Sequence, residues 1–421
     1  SPSLGGGSSV FASKTVYLAP GPWNVDGARY ALYMYDDTQS SKLETWTDFS
    51  AVEGEDGVYS ATFDDATYKN MIIVRLKPST AADYSGDNDG LNWANKWNQT
   101  ADLPAPVVDG MTFTMTSIDT GDYTLSGNTI YLYNVASGKY MCSGNNWGSH
   151  VSVGEGGIPL TLVPSDVNYA ISTASIYNGK YLSGGGWMDS ELYGFTFERV
   201  ADNVYKIKGG DNVLYYNSDV SSTFVSCGTD PNTEASQWKI FTETERIAAM
   251  ANATQTNPVN ATFLIKNYYF AKGNGRIVAK DADLTDSPSW KGTEMTDLWG
   301  WDANDVNACY AVEQYGKTFD NYQELTVPNG KYFITAKGFY RGTVVPYIYA
   351  NDEKCSLKVK GELKNNDGTV KDGIESAAIA LRGDDYLLDG VTVVVTDGTL
   401  RVGVKSDAKI DWCAFDDFSL L

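Results

Sequence analysis

The stretch RYALYMYDD, residues 29–37, places Tyr30, Tyr33 and Tyr35 within one short run of an acidic chain. In a β-strand successive side chains point to opposite faces, so Tyr33 and Tyr35 share one face while Tyr30 and its aliphatic neighbours share the other. We therefore expect one tyrosine pair to lie away from the apolar face. The pair either packs at the rim of a core or offers rings on which the C–H face of a sugar can stack.

Similar runs surround this strand. Between residues 15 and 124, short apolar and aromatic runs alternate with turn clusters, as in TVYLAP, GVYSATF, MIIVRLKP and MTFTMTSID. This pattern is typical of a small antiparallel β-sandwich. The stretch SGDNDGLNWANKWNQ is too polar and glycine-rich for a strand, and it predicts a long loop at one edge of the sandwich.

The next segment, residues 125–240, repeats itself loosely. YLYNVASGKYMCSG, ISTASIYNGKYLSGG and VYKIKGGDNVLYYN recur at roughly 35–40 residues, which in an all-β segment predicts a β-trefoil. The closing ASQWKIF resembles the ends of repeats in ricin-type trefoil lectins, but Gln237 and Trp238 are adjacent here and occur once. The resemblance therefore supports the fold more than the sugar sites. Trp147 and Trp187 follow two G-K-Y triplets, which indicates either lectin loops or repetition alone.

A helix is predicted over residues 241–258, between two β segments. Thr242 and Glu245 have the spacing of a capping box, and Asn257–Pro258 ends the helical pattern. It is the one convincing helix in the sequence. We expect it to be a packed, rigid connector.

Residues 259–421 return to β patterns, including FLIKNYYF, YQELTVPNGKYFITAKGFYR with a turn at Pro328–Gly330, and the closing WCAFDDFSLL. These patterns resemble the galactose-binding-like jelly rolls that are common among carbohydrate-binding modules and whose first and last strands lie together. The resemblance implies a structural calcium held by Asp416 with a carbonyl or side chain near Asn267, the alternative being a capped strand end.

The length and charge of the chain set further bounds. A chain of 421 residues is too long for one compact domain, and 53 acidic against 32 basic residues give a net charge of −21 at pH 7. Such a charge repels nucleic acid and anionic membranes, and no apolar run approaches the ~18 residues of a membrane span. A neutral polysaccharide or oligosaccharide is the partner that fits.

The predicted fold class is therefore all-β and multidomain. Its parts are a flexible spacer over residues 1–14, a β-sandwich over 15–124, a β-trefoil over 125–240, a connecting helix over 241–258 and a jelly-roll β-sandwich over 259–421.

The first segment also resembles a known family. VYLAPGPW, ARYALYMYDD, ETWTDF, DGVYSATF, MIIVRLKP and NKWNQTADL are similar to the starch-binding modules of bacterial amylases, carbohydrate-binding module family twenty-six, and to relatives in surface proteins of glycan-degrading gut bacteria. The resemblance implies that Tyr33, Tyr35 and Trp46 cup an α-glucan such as starch. The loop that follows is longer than the family's, so Trp93 and Trp97 either extend this site or cover it.

Two further groups of residues are candidates. Trp299 and Trp301 stand two apart in DLWGWDANDVN, and with Tyr340 and Arg341 they predict a second sugar site unless they pack in a core. The edge loop contains alternating acids that either wrap a calcium ion or form a solvated turn, namely Asp83, Asp87 and Asp89.

Motifs of catalysis and of cysteine chemistry are missing from the sequence. There is no nucleophile elbow, P-loop or dinucleotide fingerprint, and the single histidine, His150, is expected to be an exposed loop residue. We predict that the protein is not an enzyme. Only Cys142 and Cys227 could form a disulfide within one domain; we expect the cysteines otherwise to be buried small residues, and they are Cys142, Cys227, Cys309, Cys355 and Cys413.

These patterns predict a non-catalytic carbohydrate-binding protein at a bacterial cell surface or outside the cell. It would be a monomer that acts beside other surface glycan-capture proteins. The opening SPSLGGGSS reads as a tether behind a lipid anchor or as a cloning remnant. The alternative function is a structural or adhesive surface protein that binds host glycans or proteins, and a third is the accessory region of a glycosidase.

Overall fold

The computed structural model describes most of the chain, namely residues 13–37, 43–64, 68–82, 90–126, 129–271, 290–301 and 308–421. In these residues the regular secondary structure is almost entirely β-strand, with two short α-helices, so the chain is an all-β, multidomain protein, as predicted. Neither helix has the length and apolar character needed to cross a membrane.

The elements are numbered along the chain. Those up to the first helix are β1 Ser13–Ala19, β2 Arg29–Asp36, β3 Leu43–Asp48, β4 Ser50–Ala51, β5 Tyr59–Asp64, β6 Asn70–Leu76, β7 Lys96–Gln99, β8 Leu103–Pro104, β9 Met111–Met115, β10 Tyr123–Ser126, β11 Ile130–Asn134, β12 Lys139–Asn145, β13 His150–Gly154, β14 Thr161–Pro164, β15 Tyr169–Ser172, β16 Gly194–Ala201, β17 Val204–Gly209, β18 Asn212–Tyr216, β19 Val225–Gly228, β20 Trp238–Thr242 and α1 Glu243–Ala249. Those that follow are β21 Lys291–Gly292, β22 Thr296–Trp301, β23 Ala308–Tyr315, β24 Phe319–Thr326, β25 Gly330–Arg341, β26 Tyr347–Ala350, β27 Glu353–Ser356, β28 Lys358–Val359, α2 Ile374–Ala380, β29 Val391–Val395, β30 Thr399–Ser406 and β31 Trp412–Leu420.

The chain divides into two compact units. The first comprises Ser1–Thr129, Thr161–Ile171 and Gly194–Gly209, and the second comprises Ile130–Leu160, Ser172–Tyr193 and Gly210–Leu421. The predicted boundaries of sandwich, trefoil, connecting helix and jelly roll stay predictions.

Two sheets of the first unit contain the strands predicted for a sandwich. Their orders are β10-β9-β1-β5-β4 and β3-β2-β6-β7, with β8 also paired to β6. The pairs in these sheets are antiparallel except β1 with β9, which is parallel and departs from the expected antiparallel arrangement.

The tyrosine-rich strand β2 lies inside its sheet and is buried on both faces. The register sets Tyr33 opposite Trp46 of β3 on one side and Ile72 of β6 on the other. Leu32 and Met34, which point to the opposite face, are also buried. The face that carries Tyr33 is therefore packed instead of open.

The second unit begins with strands of the repeated segment. β11 pairs with β12 and with β20, β12 pairs with β13, and β18 pairs with β19. Two turns of this segment are joined by backbone hydrogen bonds of 2.8 Å, from Val151 N–H to the Gly186 carbonyl and from Met188 N–H to the Ser149 carbonyl. A trefoil for this segment stays a prediction.

Helix α1 begins where the sequence predicts. The Thr242 hydroxyl accepts a hydrogen bond of 3.1 Å from the Glu245 N–H, which satisfies one of the free donors of the first turn. Arg246 is buried, donates to the Gly156 carbonyl at 2.7 Å and lies 3.7 Å from the centroid of the Tyr140 ring. The helix is therefore packed against its surroundings in the second unit.

The C-terminal strands of the second unit form two sheets, with orders β21-β24-β30-β26-β27 and β22-β23-β31-β25-β28, and β29 pairs with β25. The predicted strands of YQELTVPNGKYFITAKGFYR exist as β24 and β25 but lie in different sheets, so the turn between them crosses from sheet to sheet. FLIKNYYF is not a strand, and its first two residues belong to the 3-10 turn Thr262–Leu264. The Ala261 N–H still donates to the Leu420 carbonyl at 2.8 Å, which holds the two ends of this segment together.

Helix α2 was not expected from the sequence. Its buried residues Ala377 and Ala378 pack with Leu298, Cys309 and Phe339. The helix has only seven residues and presents alanines in place of the larger apolar stripe on which a sequence-based prediction depends.

The disulfide that Cys142 and Cys227 could form is not present. The cysteines are all free, and the Cys142 sulfur lies 3.3 Å from the Tyr268 hydroxyl, in a buried position. Cys142, Cys309 and Cys413 are buried as expected, whereas Cys227 and Cys355 are partly exposed.

Candidate functional site

Four rings of the first unit form one contiguous group, which we call the first-unit aromatic cluster: Tyr33, Tyr35, Trp46 and Trp93. Ring centroids lie 5.4 Å apart for the stacked pair Tyr33 and Tyr35, and 4.9 Å apart for Tyr33 and Trp46. The Trp93 ring stands edge-on to both Tyr33 and Trp46, at 4.7 and 4.8 Å. The structure thus brings together four of the five residues predicted for a glycan site.

Strand register and one short helical turn position these rings. Trp46 faces Tyr33 across the β2–β3 pair. Trp93 begins a 3-10 turn that the Asn92 side chain caps by accepting the Ala94 N–H at 2.9 Å. Leu91, just before this turn, is buried in the same apolar group as Tyr33 and Trp46.

The cluster is less exposed than the sequence suggested. Tyr33 and Trp46 are only 1% and 7% exposed, Tyr35 is half-buried, and Trp93 is 38% exposed. The expectation of an open patch is wrong for the two buried rings, because Leu91 and Trp93 pack over them. The described part of the long loop lies over these two rings and leaves Trp93 partly exposed, so whether the loop extends or covers a glycan site stays a prediction.

The polar groups of the cluster are engaged. The Tyr33 hydroxyl donates to the Glu44 carboxylate at 2.5 Å. Burial, and then a hydrogen bond to Asp102, raise the pKa of Tyr35 far above its usual value, so this phenol stays neutral at physiological pH. The rings therefore offer an uncharged surface.

Trp97 does not join this cluster. Its ring packs on the Arg75 guanidinium, 4.7 Å from the ring centroid. The preceding residue, Lys96, lies with its ammonium 5.7 Å from the Trp93 centroid. Val74 and Leu76 share the apolar group of Tyr33 and Trp46, so Arg75 between them points to the opposite face of β6. Trp97 packs on Arg75 and therefore lies on the opposite face of the sheet from the cluster.

In the second unit, tryptophans from two distant parts of the chain line one cleft. This tryptophan cleft has a volume of about 500 Å³ and is lined by Asn146, Trp147, Trp187 and Trp301. The Trp147 and Trp301 rings meet edge to face, with centroids 4.8 Å apart at an interplanar angle of 86°. Trp147 is 62% exposed.

A second hollow adjoins the first at Trp301. This side hollow has a volume of about 390 Å³ and is lined by Trp299, Gly300, Trp301, Asn366, Ile374 and Glu375. Trp299 and Trp301 point to one face of β22, while Gly300 between them is buried. A side chain on Gly300 would lie 2.9 Å from the Glu375 side chain, so the glycine permits the close approach of α2.

The predicted grouping of Trp299 and Trp301 with Tyr340 and Arg341 is wrong. Two strands, β23 and β31, lie between β22 and β25, a separation of about 14 Å at ordinary strand spacing. Arg341 instead forms ion pairs with Asp411 at 2.6 Å and with another carboxylate, and its guanidinium lies over a different ring. The tryptophans of β22 belong with Trp147 and Trp187, which the sequence presented separately.

His150 is buried, contrary to the expected exposed loop position. Its ring nitrogens lie 3.2 and 3.1 Å from the carbonyl oxygens of Val151 and Gly185, and its ring stands edge-on to Trp187 at 5.0 Å. Burial lowers the pKa of His150 below its ordinary value. The histidine therefore supports a wall of the tryptophan cleft in its neutral form.

Asp416, the predicted calcium ligand, lies at another cavity of the second unit. The cavity has a volume of about 500 Å³ and includes Lys337, Arg382 and Asp417 in its lining. Asp416 is buried, and burial with the adjacent Asp417 charge raises its pKa well above the usual value.

Asn267 does not line that cavity. Its side-chain oxygen accepts the Ala271 N–H at 2.8 Å, and its main-chain oxygen accepts the Trp290 indole N–H at 3.0 Å. No group of three acidic, histidine or cysteine side chains is arranged as metal ligands within the described ranges. Calcium at Asp416 stays a prediction, and the other calcium candidates, Asp83, Asp87 and Asp89, lie outside the described residues.

Comparisons with known proteins find no family model that matches the chain and no curated protein that matches it. Parts of the chain are similar to solved structures. One is TmCBM61 in complex with β-1,4-galactotriose, with 17% identity over 34% of this chain and 96% of that chain and a TM-score of 0.21. Another is a carbohydrate-binding module from Cellvibrio mixtus lichenase 5A in complex with cellotriose, with 12% identity over 31% and 88% and a TM-score of 0.18.

A third similar structure is the K1 cleaved adhesin domain of Lys-gingipain from Porphyromonas gingivalis, with 16% identity over 36% of this chain and 95% of that chain and a TM-score of 0.20. Likenesses of this size carry no argument about what the chain binds. The functional conclusion therefore depends on the geometry of the aromatic surfaces and on the sequence.

Proposed function

We propose that the chain is a non-catalytic carbohydrate-binding protein whose first unit binds an α-glucan such as starch. The observation that supports this most directly is Trp93, whose ring stands edge-on to Tyr33 and Trp46 and remains partly exposed, while Tyr35 stacks on Tyr33. A partly exposed ring held by other rings is suited to stacking on the C–H face of a sugar.

The four rings then have different roles. Trp93 and Tyr35 contact the glucan, and the buried Tyr33 and Trp46 hold Trp93 in position. A ring that is already held loses little conformational freedom when the ligand binds, which favours affinity. Tyr33, Tyr35 and Trp46 are also the residues that match the starch-binding family in sequence.

Charge supports a neutral ligand. The chain carries a net charge of −21, which disfavours anionic polymers, and stacking on rings needs no ion pair. The resemblance to surface proteins of glycan-degrading bacteria supports a position at the cell surface, as a monomer beside other glycan-capture proteins.

The test is gel retardation or calorimetry with soluble starch, using the whole chain. We expect Trp93→Ala and Tyr35→Ala each to weaken binding about five- to thirtyfold, as for an aromatic anchor in a shallow site. The matched control is Trp97→Ala, since Trp97 is as exposed as Trp93 but lies on the opposite face of the sheet from the cluster. The proposal is overturned if the wild-type chain does not bind starch, or if the Trp93→Ala variant binds starch with wild-type affinity.

We also propose that a structural calcium binds at Asp416. The support for a cation is the buried carboxylate beside a polar cavity, because a bound cation would keep that carboxylate ionised. Lys337 and Arg382 in the same lining work against a cation, and the oxygens of Asn267 already accept hydrogen bonds. Chelator should then lower the melting temperature of the whole chain, because an ion bound only to the native state stabilises it. Asp416→Ala should remove the effect of chelator, and an unchanged melt of the wild type contradicts the site.

A further inference from the structure

We propose that the tryptophan cleft of the second unit is a separate binding site for a neutral oligosaccharide. The site is formed by Trp147, Trp187 and Trp301, and it extends along β22 to Trp299. The proposal shares only its class of ligand, a neutral glycan, with the first-unit site. It stands on a different set of residues and can hold or fail by itself.

Two of the indole rings on this surface are largely exposed. Trp147 and Trp299 are 62% and 54% exposed, and both lie within one connected surface through Trp301. Burying a large apolar side chain is worth about 1.5–3 kcal/mol, so a connected group of exposed indoles is unfavourable unless a ligand uses it.

The shape of the tryptophan cleft also supports a sugar ligand. The Trp147 and Trp301 planes are nearly perpendicular, so the two rings make a corner. A sugar ring in that corner can stack its C–H face on one indole while its edge meets the other. The side-chain amide of Asn146 lines the same cleft and offers hydrogen bonds to hydroxyl groups.

The turn that carries Trp147 is held by hydrogen bonds and close packing. The Tyr310 hydroxyl of β23 donates to the Trp147 carbonyl at 2.8 Å. Tyr310 lies so close that a β-carbon on Gly148 would be 2.2 Å from its ring, and the Tyr177 hydroxyl donates to the Gly148 carbonyl at 3.1 Å. The turn that carries Trp147 is therefore held in place before any ligand arrives.

The Trp187 wall is held in a similar way. Its N–H donates to the Ser183 hydroxyl at 3.1 Å, and its carbonyl accepts the Ser183 N–H at 2.8 Å. The next residue, Met188, donates to the carbonyl of Ser149 at 2.8 Å, which ties this turn to the Trp147 turn. The neutral His150 ring supports the indole from the side.

The charge of the two linings supports a neutral ligand. Among the residues that the structure describes, Glu375 is the one charged residue in the lining of the two hollows, and its carboxylate accepts the Asn366 N–H at 2.9 Å. No basic residue contributes to either lining among the described residues. The lining therefore favours a neutral ligand over uronic acids or phosphates.

The length of the tryptophan surface supports a ligand of more than one sugar unit. Trp299 and Trp301 are two residues apart on one strand, which separates their α-carbons by about 7 Å. Because hollows lie on both sides of Trp301, the surface can hold more than one sugar unit. We therefore assign an oligosaccharide to it instead of a monosaccharide.

The test uses the whole chain and a panel of neutral gluco-, galacto-, manno- and xylo-oligosaccharides of graded length, followed by calorimetry. We expect at least one series to bind, and Trp147→Ala and Trp301→Ala each to weaken that binding about five- to thirtyfold. Trp93→Ala should leave it unchanged. Trp147 is mostly exposed, so its variant should keep the wild-type melting temperature.

Three results overturn the inference. One is that no neutral oligosaccharide binds, or that neither Trp147→Ala nor Trp301→Ala weakens the binding of those that do. This holds even if starch binds through Trp93. Another is that Trp93→Ala abolishes all glycan binding. The last is that Trp147→Ala turns a dimer into a monomer in sedimentation without any effect on glycans, because the cleft is then an interface between copies.

Discussion

The first-unit aromatic cluster and the tryptophan cleft use the same kind of side chain but present it from different parts of the backbone. Tyr33 and Trp46 lie within strands and are buried, whereas Trp147 lies in a turn and is exposed. Trp299 of the same surface lies on strand β22 and is also exposed. A ring inside a sheet is readily covered, because both faces of a central strand attract apolar partners. A ring on a tight turn has fewer neighbours, and turns lie at the surface. A turn therefore favours an open ring, whereas a ring on a strand is open only where nothing packs over its face, as for Trp299 on β22.

The largest expected effect tests this contrast directly. Trp46→Ala should lower the free energy of unfolding by about 3–5 kcal/mol, because it leaves a cavity beneath Trp93. Trp147→Ala should change it by no more than about 0.5 kcal/mol, because the exposed indole leaves no cavity. Denaturant unfolding monitored for each unit provides the measurement.

Trp93→Ala is the matched control for this pair, since Trp93 touches the same rings but is partly exposed. It should have an intermediate effect on unfolding. Equal losses of stability for Trp46→Ala and Trp147→Ala would mean that exposure does not separate the two surfaces.

Local signals in the sequence predicted much of the fold. Strands β1, β2, β5, β6 and β9 lie where the alternating runs indicated, and the start of α1 follows from Thr242 and Glu245. These features depend on residues close together in the chain, so periodicity and capping patterns are enough to find them.

The candidate surfaces were predicted only in part, because their decisive contacts join distant residues. Tyr33 and Trp46 were found from their spacing, but their covering by Leu91 depends on how a long loop folds back. Trp147 and Trp301 were both noticed, but nothing in the sequence indicated that they meet. The pairing of β22 with β23, which sets Trp299 opposite Tyr310, also had no local signal.

The next effect concerns how rigidly the cleft is held. Gly148→Ala places a β-carbon 2.2 Å from the Tyr310 ring and at a positive φ of 90°, so the turn must move. We expect a loss of about 1–3 kcal/mol in stability and weaker binding in the tryptophan cleft. Calorimetric melting and titration with the ligand found for the wild type measure both.

Gly144→Ala is the control, since Gly144 lies in the same hairpin at a φ of 134° with open space around it. It carries backbone strain without the clash. If the two variants weaken binding equally, contact with Tyr310 is not what positions Trp147.

A smaller effect is expected from pH. Burial lowers the pKa of His150, so the folded state binds fewer protons than the unfolded state between the lowered value and the ordinary value of about 6.5. The free energy of unfolding should therefore fall as pH drops below about 6.5, by at most about 1.4 kcal/mol per pH unit. At higher pH the titration of His150 should not change it.

His150→Gln removes the titration, so the difference in melting temperature between wild type and variant should vary below pH 6.5 and stay constant above it. The first unit, which lacks this histidine, should show no such difference. A difference that is constant across the whole range would mean that folding leaves the pKa of His150 unchanged.

The smallest expected effect is that of salt, and it separates binding by rings from binding by charge. The described residues that line the tryptophan cleft include no charged side chain, so the affinity of its ligand should be the same at low and high ionic strength. The first-unit cluster has Lys96 close to Trp93 and Glu44 bonded to Tyr33, so starch binding can shift slightly, by less than about twofold. Titrations at about 0.05 and 0.5 M sodium chloride measure both affinities, with Lys96→Gln as the control that should remove any shift in the first unit. A tenfold loss of affinity at high salt in either unit would show that charges carry the binding there, and the assignment of that surface to a neutral glycan would be wrong.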